Sequence, residues 1–150
     1  MARLGSITLD CDDPAALATF WSTLLGGEIT YSTATVAVAR VGDLLISATR
    51  VEDYRPPTWP EDALPKQIHL DLGADDLDAA EAEAVLAGAT PVAKQPAPER
   101  FRVLLDPAGH PFCLTLTANL TRLGLHPRPS SHAGGTGGGG GPVDPATSSP

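Results

Sequence analysis

The feature that most limits how this chain can fold is an internal repeat. Residues 6–27 and 69–89 follow one order: alternating residues, a pair of aspartates, a helical pattern, and a closing glycine. A grammar that recurs in this way is one supersecondary unit copied once, so both halves are expected to take the same local architecture. In the first copy Asp12 or Asp13 caps a helix, and Pro14 sits where a missing N–H leaves no bond unmade. Leu17, Phe20, Trp21, Leu24 and Leu25 then share one helical stripe, and Gly26 or Gly27 closes the last turn. In the second copy Asp75 or Asp76 is the cap, Leu77, Ala80, Ala84 and Val85 face the core, and Gly88 ends the helix.

Three strand-like runs follow each helix, at 28–32, 36–40 and 44–50, then at 91–94, 101–105 and 111–117. The fold class is therefore α+β, with the order strand, helix, three strands, repeated in modules 1–52 and 66–117. Asp106-Pro107-Ala108-Gly109 is a turn in which proline fixes φ and glycine completes the reversal. Residues 53–65, with Pro56, Pro57 and Pro60, cannot donate a regular ladder and form the connector.

Side chains alternate across a strand, which divides the two leading strands by parity. Ile7, Leu9 and Cys11 oppose Ser6, Thr8 and Asp10; Ile68, Leu70 and Leu72 oppose His69, Asp71 and Gly73. The apolar sides belong under the helices. The polar sides are too hydrophilic for a second dry core and are expected to line a wet concavity, together with Cys113 and Thr115 of the last strand.

Charge and composition bound the partners. A formal net charge of −8, spread over both halves, gives no phosphate-tracking surface, so nucleic acid is not an expected partner. No apolar run approaches the roughly 20 residues that cross a bilayer, and no basic-then-apolar leader opens the sequence. No membrane association is expected. Cys11 and Cys113 lie in apolar strand-like runs and are read as free thiols, which places the protein in the cytoplasm. Apolar periodicity is lost from Thr121, and Gly, Pro, Ser and Thr dominate beyond Pro127. Residues 121–150 are accordingly expected to be a disordered tail and 1–120 the domain.

Three stretches together resemble the vicinal-oxygen-chelate superfamily, meaning glyoxalase I, bleomycin-resistance proteins and extradiol dioxygenases. They are Ile7-Thr8-Leu9-Asp10-Cys11-Asp12-Asp13-Pro14 leading to Phe20-Trp21 and Leu24-Leu25-Gly26; His69-Leu70-Asp71-Leu72 with Asp75-Asp76; and Asp106-Pro107-Ala108-Gly109-His110 before Phe112-Cys113. The resemblance covers about residues 1–117 and is strongest to the bacterial glyoxalase-like domains, to which the connector Tyr54-Arg55-Pro56-Pro57-Thr58-Trp59-Pro60 adds. It implies paired βαβββ modules forming a cupped mixed sheet, often in a homodimer.

Metal-using members of that superfamily hold one divalent ion with His, Gln or Glu from the first and last strand of each module. Counting from the helix caps and the turn glycine, the corresponding positions here are Ser6, Ile46, His69 and Cys113, of which His69 alone matches the usual ligand types. No metal ligand set is therefore assigned and no cofactor is expected, with a divalent metal as the minor alternative. His69 and Asp71, two apart on one strand, are the candidate proton-transfer or ligand-orienting pair. Ser6, Thr8, Ile46, Cys113 and Thr115 are the candidate substrate-binding wall, with Trp59 as a lid. His110, beside a turn, is read as solvent-exposed. The first reading of function is a binder of a small organic molecule without the usual metal centre. The second is a metal-dependent lyase, isomerase or dioxygenase using His69, and the third a non-catalytic association module.

Overall fold

The computed structural model describes residues 1–60 and 63–124. The first module runs β1 (Ser6–Cys11), α1 (Pro14–Leu24), β2 (Glu28–Ser32), β3 (Val36–Val41) and β4 (Leu44–Arg50). The second runs β5 (Asp71–Ala74), α2 (Leu77–Ala87), β6 (Thr90–Pro91), β7 (Phe101–Leu105) and β8 (Pro111–Leu116), followed by α3 (Thr117–Arg122). Each module closes its own four-stranded mixed sheet, ordered β1-β4-β3-β2 and β5-β8-β7-β6. The leading strand of each is parallel to the last, and the other pairs are antiparallel. The repeat is thus a repeat of topology.

Local chemistry sets the element boundaries. Asp13 Oδ1 accepts from the Ala16 amide at 3.0 Å with Pro14 in the first turn, and Asp76 accepts from the amides of Asp78 and Ala79. Of each aspartate pair, the second member is the cap. Gly88 ends α2 in the left-handed conformation at φ 116°. At Gly27 a side chain is excluded by space, because an added Cβ would stand 2.4 Å from the Arg40 carbonyl oxygen. Two boundaries differ from expectation. The second leading strand begins at Asp71 instead of His69, although the Cys113 amide still donates to the Leu70 carbonyl at 2.9 Å. The last strand gives way at Thr117 to α3, whose final residues cross into the segment assigned to the tail; residues 125–150 lie outside the described residues.

Leu17, Ala18, Phe20 and Trp21 of α1 are buried against Ala37, Ile46, Ala48 and Cys11, where the small alanines let the helix settle on the sheet. Leu77 and Ala84 anchor α2, whereas Val85, expected in the core, is 45% exposed. The two modules meet through α1. Phe20, Trp21 and Phe112 form an aromatic cluster with centroids 5.1–5.9 Å apart, in edge and tilted arrangements suited to ring quadrupoles.

Asp106 completes this joint. Its buried carboxylate accepts from Trp21 Nε1 at 3.2 Å, from the amides of Ala108 and His110 at 3.0 and 2.9 Å, and lies 2.9 Å from His110 Nδ1. His110 is consequently half-buried, against the expectation of exposure, since the turn folds it back onto its own aspartate. Its Nε2 lies 3.0 Å from the Tyr54 hydroxyl, which donates to the Ala108 carbonyl at 2.9 Å. One carboxylate so ties α1, the turn and the connector together.

Removing that acceptor strands several buried donors, each worth about 1–3 kcal/mol when left unpaired. Asp106→Ala should therefore lose about 3–5 kcal/mol of unfolding free energy in urea, and Trp21→Phe, which deletes one donor and keeps the ring, about 1–3 kcal/mol. An Asp106→Ala protein as stable as wild type would remove Asp106 from this role.

Candidate functional site

The face of the second sheet turned away from α2 carries a hollow of about 470 Å³. Phe101 and Val103 of β7, with Leu120 of α3, give it apolar walls, and Trp59 of the connector also lines it, its Nε1 buried and without a hydrogen-bond partner among the described residues. Its polar end is built by register. β5 and β8 run parallel with Asp71 opposite Cys113 and Gly73 opposite Thr115, so all four project to one face. Gly73 leaves room for α3 to cover that face, since an added Cβ would lie 3.3 Å from Leu120 Cδ1. His69, just ahead of β5, reaches Asp71 with Nε2 to Oδ2 at 3.3 Å, and Thr115 Oγ1 donates to the other carboxylate oxygen at 3.4 Å. The expected His69–Asp71 pair is a contact.

Cys113 is 5% exposed. Burial first, and the adjacent Asp71 charge second, push its thiol up to about 11. The thiol stays protonated near neutrality, which argues against a nucleophilic role. Together one imidazole nitrogen, one carboxylate oxygen and one sulfur, from His69, Asp71 and Cys113, lie within 4.8 Å of one another. An imidazole, a carboxylate and a thiol drawn this close suit a borderline ion such as zinc, so the residues present fit a metal.

The other expected wall residues lie elsewhere. Ser6 and Thr8 occupy the exposed face of the first sheet, where Ser6 Oγ is 3.0 Å from Ser47 Oγ. Ile46 does not line this hollow: it is 2% exposed, pairs with Ile7, and packs in the core beneath α1. The equivalent of the Asp71–Cys113 pair is Thr8–Ser47, so counting from the turn slipped one residue on β4. The alternation of Ile46 and Ala48 against Ser47 and Thr49 carried the correct parity. Of the expected set, His69, Asp71, Cys113, Thr115 and Trp59 share the hollow, whereas Ser6, Thr8 and Ile46 do not reach it. Leu120 and Asn119 were missed because they lie on α3, where no helix was expected.

A family model described as a glyoxalase-like domain matches residues 6–115. No curated protein matches the chain. Among solved structures, the fosfomycin resistance protein FosX of Mesorhizobium loti is 15% identical, with TM-score 0.59, over 82% of this chain and 98% of that one. A mutant FosX of Listeria monocytogenes, complexed with Mn(II) and 1S,2S-dihydroxypropylphosphonic acid, is 18% identical, with TM-score 0.61, over 83% and 97%. The bleomycin-binding protein of Streptomyces verticillus, complexed with copper(II)-bleomycin, is 24% identical, with TM-score 0.50, over 77% and 97%. At these identities the likeness is one of fold.

The two thiols supply a pH test. Burial also raises Cys11 to about 11, followed by the charges of Asp12 and Asp13. The folded state holds both protons more tightly than the unfolded chain, whose thiols release theirs near 9.0. This stabilisation is complete below pH 9 and is lost as pH climbs toward 11. Urea unfolding should show stability falling across that window, and Cys113→Ala should flatten part of the fall; an unchanged slope in Cys113→Ala would contradict the burial assigned to this thiol.

Proposed function

This chain belongs to the glyoxalase-like domain family, within the vicinal-oxygen-chelate superfamily, and from that membership we propose that it binds a small organic molecule in the hollow of the second module. The observation that carries the reading is the hollow itself. Apolar walls from Phe101, Val103 and Leu120 converge on a polar end of His69, Asp71 and Thr115, the arrangement that desolvates a ligand's body and orients its polar group. Two proteins of the same fold hold small organic ligands, a phosphonic acid and copper(II)-bleomycin. In this reading Asp71 fixes the His69 ring through the 3.3 Å contact, and Thr115 fixes Asp71. Trp59 covers the mouth. The domain works in the cytoplasm, where Cys11 and Cys113 remain reduced.

A homodimer extends the same proposal. Ser6 and Ser47 present a hydroxyl-bearing stretch of exposed sheet face, while the hollow of the second module stands open toward solvent. A second copy that laid the first face against the second hollow would complete a cup from both modules.

The cluster of His69, Asp71 and Cys113 favours one further reading, in which these three side chains hold a divalent ion. Such an ion would act as a Lewis acid toward a bound carbonyl or phosphonyl oxygen. The chain's own part would be to hold the cluster through the β5–β8 register and to keep its apolar side dry.

A thermal-shift screen with small planar organic molecules tests the first reading. Hits should raise Tm, and Leu120→Trp, which fills the hollow from α3, should abolish the rise without unfolding the protein. No stabilisation by any compound in the panel would sink it. Metal analysis of the untagged protein separates the second reading: stoichiometric zinc, nickel, manganese or iron, lost in His69→Ala, would establish it.

A further inference from the structure

A second cavity, of about 450 Å³, is lined by β1 and the connector and borders the hollow at His69 and Pro111. Tyr54 gives it one half-buried aromatic wall and Leu64, Ile68 and Leu70 an apolar one, while Trp21 and Phe112, each 1% exposed, lie beneath it as part of the core. Two cations, Arg55 of the connector and Lys66 just after it, border it together with the imidazoles of His69 and His110. In a chain with 10 Lys and Arg against 18 Asp and Glu, this gathering of positive and ionisable nitrogen groups faces, among the described residues, one lining carboxylate, Asp10. Among the described residues the ion pairs are Arg40–Glu28, His69–Asp71, Arg102–Asp78, Arg102–Glu81 and His110–Asp106, and none involves Arg55 or Lys66. Lys66 is instead held by its ammonium, 4.4 Å from the centre of the Trp59 ring. The Tyr54 hydroxyl is committed to Ala108 and His110, so the phenol contributes a fixed ring face and not a proton.

We propose that this cleft is a second binding site, for a small organic anion with a planar body and a carboxylate or phosphate group. The Tyr54 ring and the apolar side chains of Leu64, Ile68 and Leu70 take the body. The anionic head is met by the Arg55 fork, which matches two coplanar oxygens, and by the Lys66 point charge. The site stands apart from the hollow, because its walls come mostly from β1, the connector and the turn before β8, and it shares only His69 and Pro111 with its neighbour.

Calorimetric titration of the full chain with benzoate, phenyl phosphate and neutral benzamide tests the assignment. At least one of the two anions should bind, with an affinity that falls as salt is raised, while benzamide should not bind measurably. The anion that binds tighter identifies the head group. Arg55→Gln and Lys66→Gln, both at partly or fully exposed positions, should each weaken binding by about tenfold, the loss expected for one charge-assisted contact. Asp10→Asn should strengthen it. Leu120→Trp, which closes the neighbouring hollow, should leave anion affinity unchanged, so loss of one site is distinguishable from loss of the other. No anion binding, benzamide binding as tightly as benzoate, or full affinity in both cation variants would overturn the proposal.

Discussion

Much of this molecule hangs on one buried carboxylate. Asp106 sits in a hairpin turn, where an aspartate ordinarily serves its own loop, yet it also receives the indole N–H of Trp21 from the other module. A charge enclosed this fully is tolerated only when hydrogen-bond donors converge on it, and here they come from a helix, a turn and an imidazole. Because His110 in turn meets Tyr54, the position of the connector is set by the same group. The walls of both cavities depend on where that connector lies: Tyr54 and Arg55 border one, Trp59 the other.

The order of elements was legible because each is written in local chemistry. Asp13 and Asp76 cap helices, Pro14 opens one, Gly88 closes the other, and the β1 residues alternate. Such signals act over a few residues and need nothing from the rest of the chain. The site was legible in part for the same reason. His69, Asp71, Cys113 and Thr115 share a face because strand parity says so, and parallel register brings them together.

What escaped the sequence depends on long-range packing. Ile46 was counted from a turn and landed on the wrong face, since Leu44, Leu45 and Ile46 are apolar in a row and blur the alternation. His110 looks like any residue beside a glycine turn until the turn folds it onto Asp106. The α3 helix lacks a side-chain cap and contains no fully buried residue, so nothing in its own six residues announces it; it is held by the room that Gly73 leaves on β5. Val85 shows the converse, a helical position that periodicity assigned to the core and that the small contact area of an alanine-rich helix leaves outside.

Each sheet takes all four of its strands from its own half of the chain. Severing the polypeptide between Val51 and Leu70, clear of both, would therefore break no strand ladder, and the halves would still be matched by Trp21, Phe112 and Asp106. The architecture thus behaves like two separately written sentences joined by a comma: each half carries complete instructions for its own sheet, and evolution can edit, exchange or recombine one without rewriting the other.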